Sequence, residues 1–239
     1  MQGKNAKMKG VGKRIGRIDT MKKYDDQSIS SLKGADRVRK RPGVIFGSDG
    51  IEGCEHAVFE ILSNSIDEAR EGYGTRINVE VRKDHSIKIE DFGRGVPLGW
   101  NEREQRFNWD LVYCELYAGG KYNNDADEAY EYSLGLNGLG ACATQFSSEF
   151  MDVTSYTKKG KYEIKFEKGF PVTELIKTEA KRRTGTVITW KPDLEVFTDI
   201  NIPVEYYRDV LKRQAVVNPG IRFKFRNQVG KSFETEEFC

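Results

Sequence analysis

Glu55-His56-Ala57-Val58-Phe59-Glu60-Ile61-Leu62-Ser63-Asn64-Ser65-Ile66-Asp67-Glu68-Ala69 reads as one helix. Strong helix formers fill it, no proline interrupts it, and Gly72 and Gly74 close it. At roughly 100° per residue, Val58, Ile61, Leu62, Ser65 and Ala69 share one face. His56, Glu60, Asn64 and Asp67 fall on the opposite face. A solvated stripe normally mixes in Lys and Arg, and this one does not. Such a set either coats a wet helix face or serves a site. Two glycine motifs downstream favour the second reading.

The chain has 239 residues, 38% of them hydrophobic, enough for one sizeable core and the beginning of a second. Lys and Arg number 39 against 37 Asp and Glu, so whole-chain charge argues neither for nor against nucleic acid. Cys54, Cys114, Cys142 and Cys239 form no CxxC pair, and the chain holds 2 histidines, which speaks against a zinc site. The cysteine usage suggests reduced thiols and a cytoplasmic protein. No apolar run has the length of a membrane span or a secretory signal.

Upstream of the helix, residues 1–20 carry Lys4, Lys7, Lys9, Lys13, Arg14 and Arg17 against one acid, Asp19, with glycines between them. This is expected to be a flexible basic extension, either a solvated tail or a contact for DNA phosphates. A short helix is expected from about Ser31 to Arg41, stopped by Pro42-Gly43. Val44-Ile45-Phe46 reads as a buried edge.

Downstream, Ile77, Val79 and Val81 alternate on one strand and Ile87 and Ile89 on the next, with Lys83-Asp84-His85 turning between them. The second strand runs into Asp91-Phe92-Gly93-Arg94-Gly95-Val96-Pro97. Glycines here let the backbone approach a ligand, and Asp91 offers a fixed acceptor. An Asx-capped turn has the same spelling. Asn108 reads as the N-cap of a helix from Trp109 to Tyr117. Residues 122–134 then show no period, as in a lid or a disordered loop. They lead into Gly135-Leu136-Asn137-Gly138-Leu139-Gly140 and a small-residue helix from Ala141 to Phe146. Glycines that open a helix present free N–H groups to phosphate. The Lys-Ser/Thr ending of a Walker loop is absent, and no βαβ unit with a ribose acid surrounds the motif. Strands are expected at 150–157, 162–166, 183–190 and 221–226, with a helix from Pro203 to Val217. Residues 233–239 look like a strand cut short. Thr186 could give a hydroxyl to a ligand, or be an ordinary strand threonine.

Glu60 and Asn64 four apart on a helix, then Asp91-x-Gly93-x-Gly95, then Gly135-x-x-Gly138-x-Gly140, resemble the ATPase superfamily of gyrase, a heat-shock chaperone, sensor histidine kinases and the MutL repair protein. The phrases Leu32-Lys33-Gly34, Val38-Arg39-Lys40-Arg41-Pro42-Gly43, Asn64-Ser65-Ile66-Asp67-Glu68-Ala69 and Ala118-Gly119-Gly120-Lys121-Tyr122 narrow it. With Asp91 to Pro97 they resemble the B subunit of bacterial type IIA topoisomerases, gyrase or topoisomerase IV, from about Tyr24 to Asn218.

That resemblance implies an α+β fold, a two-layer Bergerat-type sandwich with a mixed, mostly antiparallel sheet and helices on one face. It implies ATP and Mg²⁺ as cofactors. Glu60 would activate the attacking water, His56 would orient Glu60, and Asn64 would hold Mg²⁺. Asp91 would accept from the adenine amino group, with Thr186 in the same network. Glu68, Gly93, Arg94, Gly95, Pro97 and Ile188 would line the nucleotide pocket. Lys121, Tyr130 and the lid residues Gly135, Leu136, Asn137, Gly138, Leu139 and Gly140 would face the nucleotide. Tyr24 would reach the partner protomer's nucleotide in a homodimer formed through the N-terminal arm. The wider partners would be the topoisomerase A subunit and DNA, and aminocoumarin-type inhibitors would enter the ATP pocket.

The domain reading is a flexible extension at 1–20, an ATPase domain at 21–226, and the start of a following transducer domain at 227–239. In the family that next domain supplies a lysine to the γ-phosphate, so residues 1–239 alone are expected to bind ATP as a monomer with little hydrolysis. The function expected is the ATP-operated gate of an enzyme that passes one DNA duplex through another. The alternatives are a non-hydrolysing ATP-binding paralogue and a histidine kinase. Four positions depart from the family pattern: Phe92 stands where a second Asp is usual, Leu134 where a glycine is usual, Asn137 where a histidine is common, and Tyr156 is the fourth. Tyr156 aligns with an arginine of many relatives at the pocket rim.

Overall fold

The computed structural model describes residue 32, residues 34–118 and residues 139–239. In chain order the elements are α1 (Asp36–Arg39), α2 (Pro42–Phe46), α3 (Ile51–Arg70), β1 (Arg76–Val81), β2 (Ile87–Asp91), β3 (Trp100–Asn101), β4 (Arg106–Phe107) and α4 (Asn108–Cys114). Then follow α5 (Gly140–Phe146), β5 (Ser148–Thr157), β6 (Gly160–Glu167), β7 (Phe170–Pro171), β8 (Ile176–Thr178), β9 (Gly185–Pro192), α6 (Val204–Val217), β10 (Arg222–Val229) and β11 (Ser232–Phe238).

The long strands make one sheet in the order β11-β10-β1-β2-β9-β5-β6-β7, with β8 paired to β6. All its described pairs are antiparallel except β1 with β10. α6 carries the chain from β9 across to β10, which lies parallel to β1. The strand alternation sorts the side chains. Ile77, Val79, Ile89, Met151, Val153, Ile164, Phe166, Trp190, Phe223 and Phe225 are buried on one face, under the helices. Tyr207 of α6 stacks on Phe225 at 5.8 Å. Trp190 donates its indole N–H to the Thr144 carbonyl at 2.9 Å and so ties the sheet to α5. The α+β, mostly antiparallel sandwich with helices on one face is therefore the fold.

The central helix is longer than its periodicity suggested and starts at Ile51. It buries Val58, Ile61, Leu62 and Ile66, each worth roughly 1.5–3 kcal/mol when removed from water. Gly72, at φ 88°, ends it in the left-handed conformation, and the Tyr73 N–H turns back to the Glu68 carbonyl. Asp67 does not join the polar face. It is 3% exposed, on the buried side of the helix.

Several sequence expectations are corrected. The helix read from Ser31 to Arg41 is the short α1. α1 ends at Arg39, before Pro42 as expected, and Pro42 also opens α2 at its first position, where a missing N–H costs nothing. Within that single turn Phe46 faces inward against Phe197 at 5.7 Å, while Val44 is 78% exposed rather than a buried edge. Asn108 is not an N-cap. Phe107 occupies that position, and the Asn108 side chain accepts from Asn101 at 2.9 Å across the β3–β4 hairpin. The helix there ends at Cys114, and Tyr117 adopts a left-handed φ of 68°. The strand expected at 233–239 is present as β11, and it pairs with β10 in this same sheet.

Arg39, in the Arg-Lys-Arg-Pro-Gly phrase, is a clamp. One nitrogen donates to the Phe146 and Ser148 carbonyls at 3.1 and 3.3 Å. The other reaches Asp193 at 2.6 Å and Glu195 at 3.1 Å. It thereby holds α1 against the ends of α5, β5 and β9. Asp193 is 4% exposed, so truncating Arg39 strands a buried carboxylate. Arg39→Ala is expected to cost about 2–4 kcal/mol in urea unfolding. Arg39→Lys is expected to restore only part, because an ammonium cannot fork to carbonyls and carboxylates together. A loss below about 0.5 kcal/mol, the range of ordinary surface changes, would refute the clamp.

Candidate active site

The helix α3 places its polar residues along one open stripe. His56 Nε2 lies 3.1 Å from Glu60 Oε1, and His56 Nδ1 lies 3.2 Å from the Phe46 carbonyl of α2. Both contacts are to oxygen acceptors. The ring makes both hydrogen bonds at once only as imidazolium, and the neutral ring donates to one of them. Phe46 also meets the ring edge-on at 6.0 Å. The Pro-Gly-Val-Ile-Phe turn thus fixes the imidazole that contacts Glu60. Asn64, one turn further, is exposed on the same stripe.

The last glycine of the lid motif closes on this pair. A Cβ at Gly140 would lie 2.8 Å from Glu60 Cδ and 3.1 Å from its Cβ. A larger residue there would push the Glu60 carboxylate aside. Thr144 of α5 donates to the Ala57 carbonyl at 3.1 Å, which locks the two helices together.

Asp91 sits below, at the end of β2, 6% exposed. Its Oδ1 accepts from the Gly93 N–H at 2.9 Å and the Thr186 N–H at 3.1 Å. Ser65 donates to Oδ2 at 3.4 Å. Burial pushes the Asp91 carboxyl above the usual carboxylate range, the two backbone donors oppose that, and nearby Glu68 adds to it. The Thr186 hydroxyl accepts from the Val96 N–H at 3.3 Å, tying β9 to the glycine turn. Gly95, at φ 79°, passes so close that a Cβ would strike the Tyr156 carbonyl. Gly93 is also closely packed: its Cβ would stand 2.9 Å from Glu68 Cβ. Ile188 lines the sheet between Ile89 and Val153, and Pro97 is exposed at the exit of the turn.

Arg94 is held by Glu68 in a forked pair, Nε to Oε2 at 3.1 Å and Nη2 to Oε1 at 2.7 Å. It also reaches Glu71 and lies over the Tyr73 ring at 3.9 Å. These anions hold the guanidinium pKa above its ordinary value. Two departures from the family pattern are connected through a third residue. Arg183 lies over Tyr156 at 4.1 Å and over Phe92 at 5.6 Å, and pairs with Glu90 at 2.9 Å. Arg76 covers Phe92 at 4.3 Å. Phe92 thus replaces a carboxylate with a ring held beside two cations.

His56, Glu60, Asn64 and Glu68 stand on α3, Asp91 ends β2 with Gly93, Arg94 and Gly95 in the turn after it, Thr186 is on β9 and Gly140 opens α5 against Glu60. Leu139 stands at the start of α5. Tyr24, Lys121, Tyr130, Gly135, Leu136, Asn137 and Gly138 lie outside the described residues. Sequence reasoning missed Ser65, the Phe46 carbonyl and Arg183. Only Arg183 left a signal, as part of a basic turn beside a strand. The buried thiols of Cys54 and Cys142 are pushed upward by burial, which makes them packing groups rather than nucleophiles.

No family model matches the chain. It is 34% identical over 218 residues to the B subunit of DNA gyrase from Thermotoga maritima, covering 91% of this chain and 34% of that protein. It is 36% identical over 217 residues to the B subunit of DNA topoisomerase 4 from Enterococcus faecalis, 90% of this chain and 31% of that one. With the B subunit of DNA topoisomerase 4 from Staphylococcus epidermidis the identity is 40% over 175 residues, 73% of this chain and 26% of the other. The chain spans about a third of the length of these relatives. In sequence and in fold, this chain resembles the N-terminal ATPase domain of the B subunit of a bacterial type IIA DNA topoisomerase, gyrase or topoisomerase IV.

Proposed function

We propose that this chain is the ATP-binding and ATP-hydrolysing domain of the B subunit of a type II DNA topoisomerase, driving strand passage in a cytoplasmic assembly with DNA and an A subunit. The observation that carries it is the His56–Glu60 pair beside Asn64, with Gly140 against the Glu60 carboxylate. No described helix is long and apolar enough to cross a membrane.

The residues present fit ATP and Mg²⁺. Asp91 is a buried carboxylate fixed by two backbone N–H donors, and among the described residues Oδ2 has one long contact, to Ser65. That leaves it an acceptor for an exocyclic amine such as that of adenine. Gly93, Gly95 and Gly140 pack against Glu68, Tyr156 and Glu60, which shapes the walls around Asp91 and Glu60. Asn64 offers an uncharged oxygen suited to Mg²⁺ beside phosphates, and the metal would neutralise phosphate charge. Glu60 would take a proton from water, and His56 would keep its carboxylate aimed. Lys121 and the lid from Gly135 to Gly140 would add contacts to the phosphates, and Tyr130 would contact the nucleotide. Tyr24 and the arm would close a homodimer, and aminocoumarin-type inhibitors would compete for the same pocket.

Calorimetric titration with ATP and Mg²⁺ tests the binding half. A one-to-one complex that is lost when Asp91 is changed is the expected result. Absence of any ATP binding would refute the reading. Binding without hydrolysis in every form of the protein, extended or not, would instead favour the non-hydrolysing paralogue.

A further inference from the structure

None of the residues assigned to the nucleotide site stands at the outward positions of β10, β1 and β2, on the sheet face turned away from the helices. Its outward positions stand in register on three strands. Arg222 lies beside Arg76, Lys224 beside Asn78 and Arg226 beside Glu80. On the other side of β1, Glu90 lies beside Asn78 and Lys88 beside Glu80. A depression of about 120 Å³ opens among Asn78, Glu80, Lys88, Glu90, Lys224 and Arg226.

The two carboxylates in this array are already engaged. Glu80 accepts from Arg82 at 2.9 Å and from Arg226 at 2.7 Å. Glu90 accepts from Asn78 at 2.8 Å and pairs with Arg183. Lys88, Lys224, Arg222 and Arg76 form no ion pair among the described residues, although Glu237 of β11 stands opposite Lys224 and borders the patch. Arg76 and Arg222 are immediate neighbours on paired strands, an arrangement that costs stability unless an anion sits between them.

We propose that this face of β10, β1 and β2 is a contact surface for the phosphate backbone of duplex DNA, an inference that rests on the reading of the chain as part of a topoisomerase. Charge complementarity selects the occupant. Alternate residues on a strand are about 6.6–6.8 Å apart and strands about 4.8 Å apart, so the cations form a flat grid rather than a cup. A grid suits a polyanion with many regularly spaced charges. The shallow depression cannot enclose a nucleotide.

The test is fluorescence anisotropy with a short labelled duplex across a salt series. The wild-type chain is compared with Lys88→Ala/Arg222→Ala/Lys224→Ala and with a control, Lys158→Ala/Lys159→Ala/Lys181→Ala, which removes the same charge from exposed positions elsewhere. The basic N-terminal extension stays in place in all three. The wild type is expected to bind with an affinity that falls steeply with salt. The grid variant is expected to bind at least ten-fold more weakly, with the log–log salt slope shallower by roughly 2–3, about 0.9 for each phosphate contact removed. The control should keep the wild-type slope, and ATP affinity should be the same in all three. No binding by the wild type, equal losses in both variants, or equal affinity for polyglutamate would overturn the proposal. Loss of ATP binding in the wild type would instead overturn the ATPase reading and leave the DNA result to stand alone.

Discussion

Glu60→Ala is expected to abolish ATP turnover while leaving ATP binding within about two-fold. A positioned carboxylate base contributes roughly 10²–10⁴-fold, and alanine removes it entirely. The geometry supports the separation of effects. Glu60 touches His56 and Gly140, not Asp91, so adenine recognition is untouched. The pair is partly exposed, with side-chain exposures of 45% for His56 and 26% for Glu60, so its loss should change stability by less than about 1 kcal/mol. His56→Ala should act through Glu60 and cost less, lowering the rate with little change in apparent affinity for ATP. Phosphate release is measured in a form of the protein that turns ATP over, and binding is measured separately by calorimetry. Turnover in Glu60→Ala equal to wild type would remove Glu60 from the chemistry.

The stripe holding these groups was legible because a helix of period 3.6 states its own faces. His56, Glu60 and Asn64 sit where the period puts them. Asp67 failed the same reading because a 20-residue helix in a two-layer sandwich is covered on more than one side. The strand alternation of Ile77, Val79, Ile87 and Ile89 survived intact, since register on a sheet with one buried face allows no slip. What remained hidden was whatever depends on contacts between distant strands. The Arg183–Tyr156–Phe92 stack joins three elements far apart in sequence, and no local pattern reports it. The Arg39 clamp is similar: its partner Asp193 lies 154 residues away. The Pro42 turn was half legible, for a local reason: proline follows the end of one helix and opens the next, and only the packing of Phe46 reveals the second.

Asp91→Asn is expected to weaken ATP by on the order of 1–3 kcal/mol, roughly 5- to 150-fold, without unfolding the protein. The asparagine keeps the shape of the side chain. Its carbonyl oxygen can still accept from the Gly93 and Thr186 N–H groups, as Oδ1 does now. Ser65 can turn its hydroxyl to accept from the new amide. The change therefore falls on the second oxygen, which becomes an N–H donor facing an amine donor of the adenine ring. The sign of the stability effect follows from the raised pKa. Burial penalises the charged form in the fold more than in the unfolded chain. That penalty is absent below the unfolded carboxyl's titration range and complete above the folded one. At neutral pH the asparagine variant should accordingly melt no lower than wild type, and the advantage should vanish as acid protonates Asp91 in the wild type. Thermal melts across a pH series and calorimetric titration with ATP read the two effects separately. Equal ATP affinity would take Asp91 out of the nucleotide site. A large drop in melting temperature at pH 7 would show instead that its negative charge, not its shape, holds β2 and β9 together.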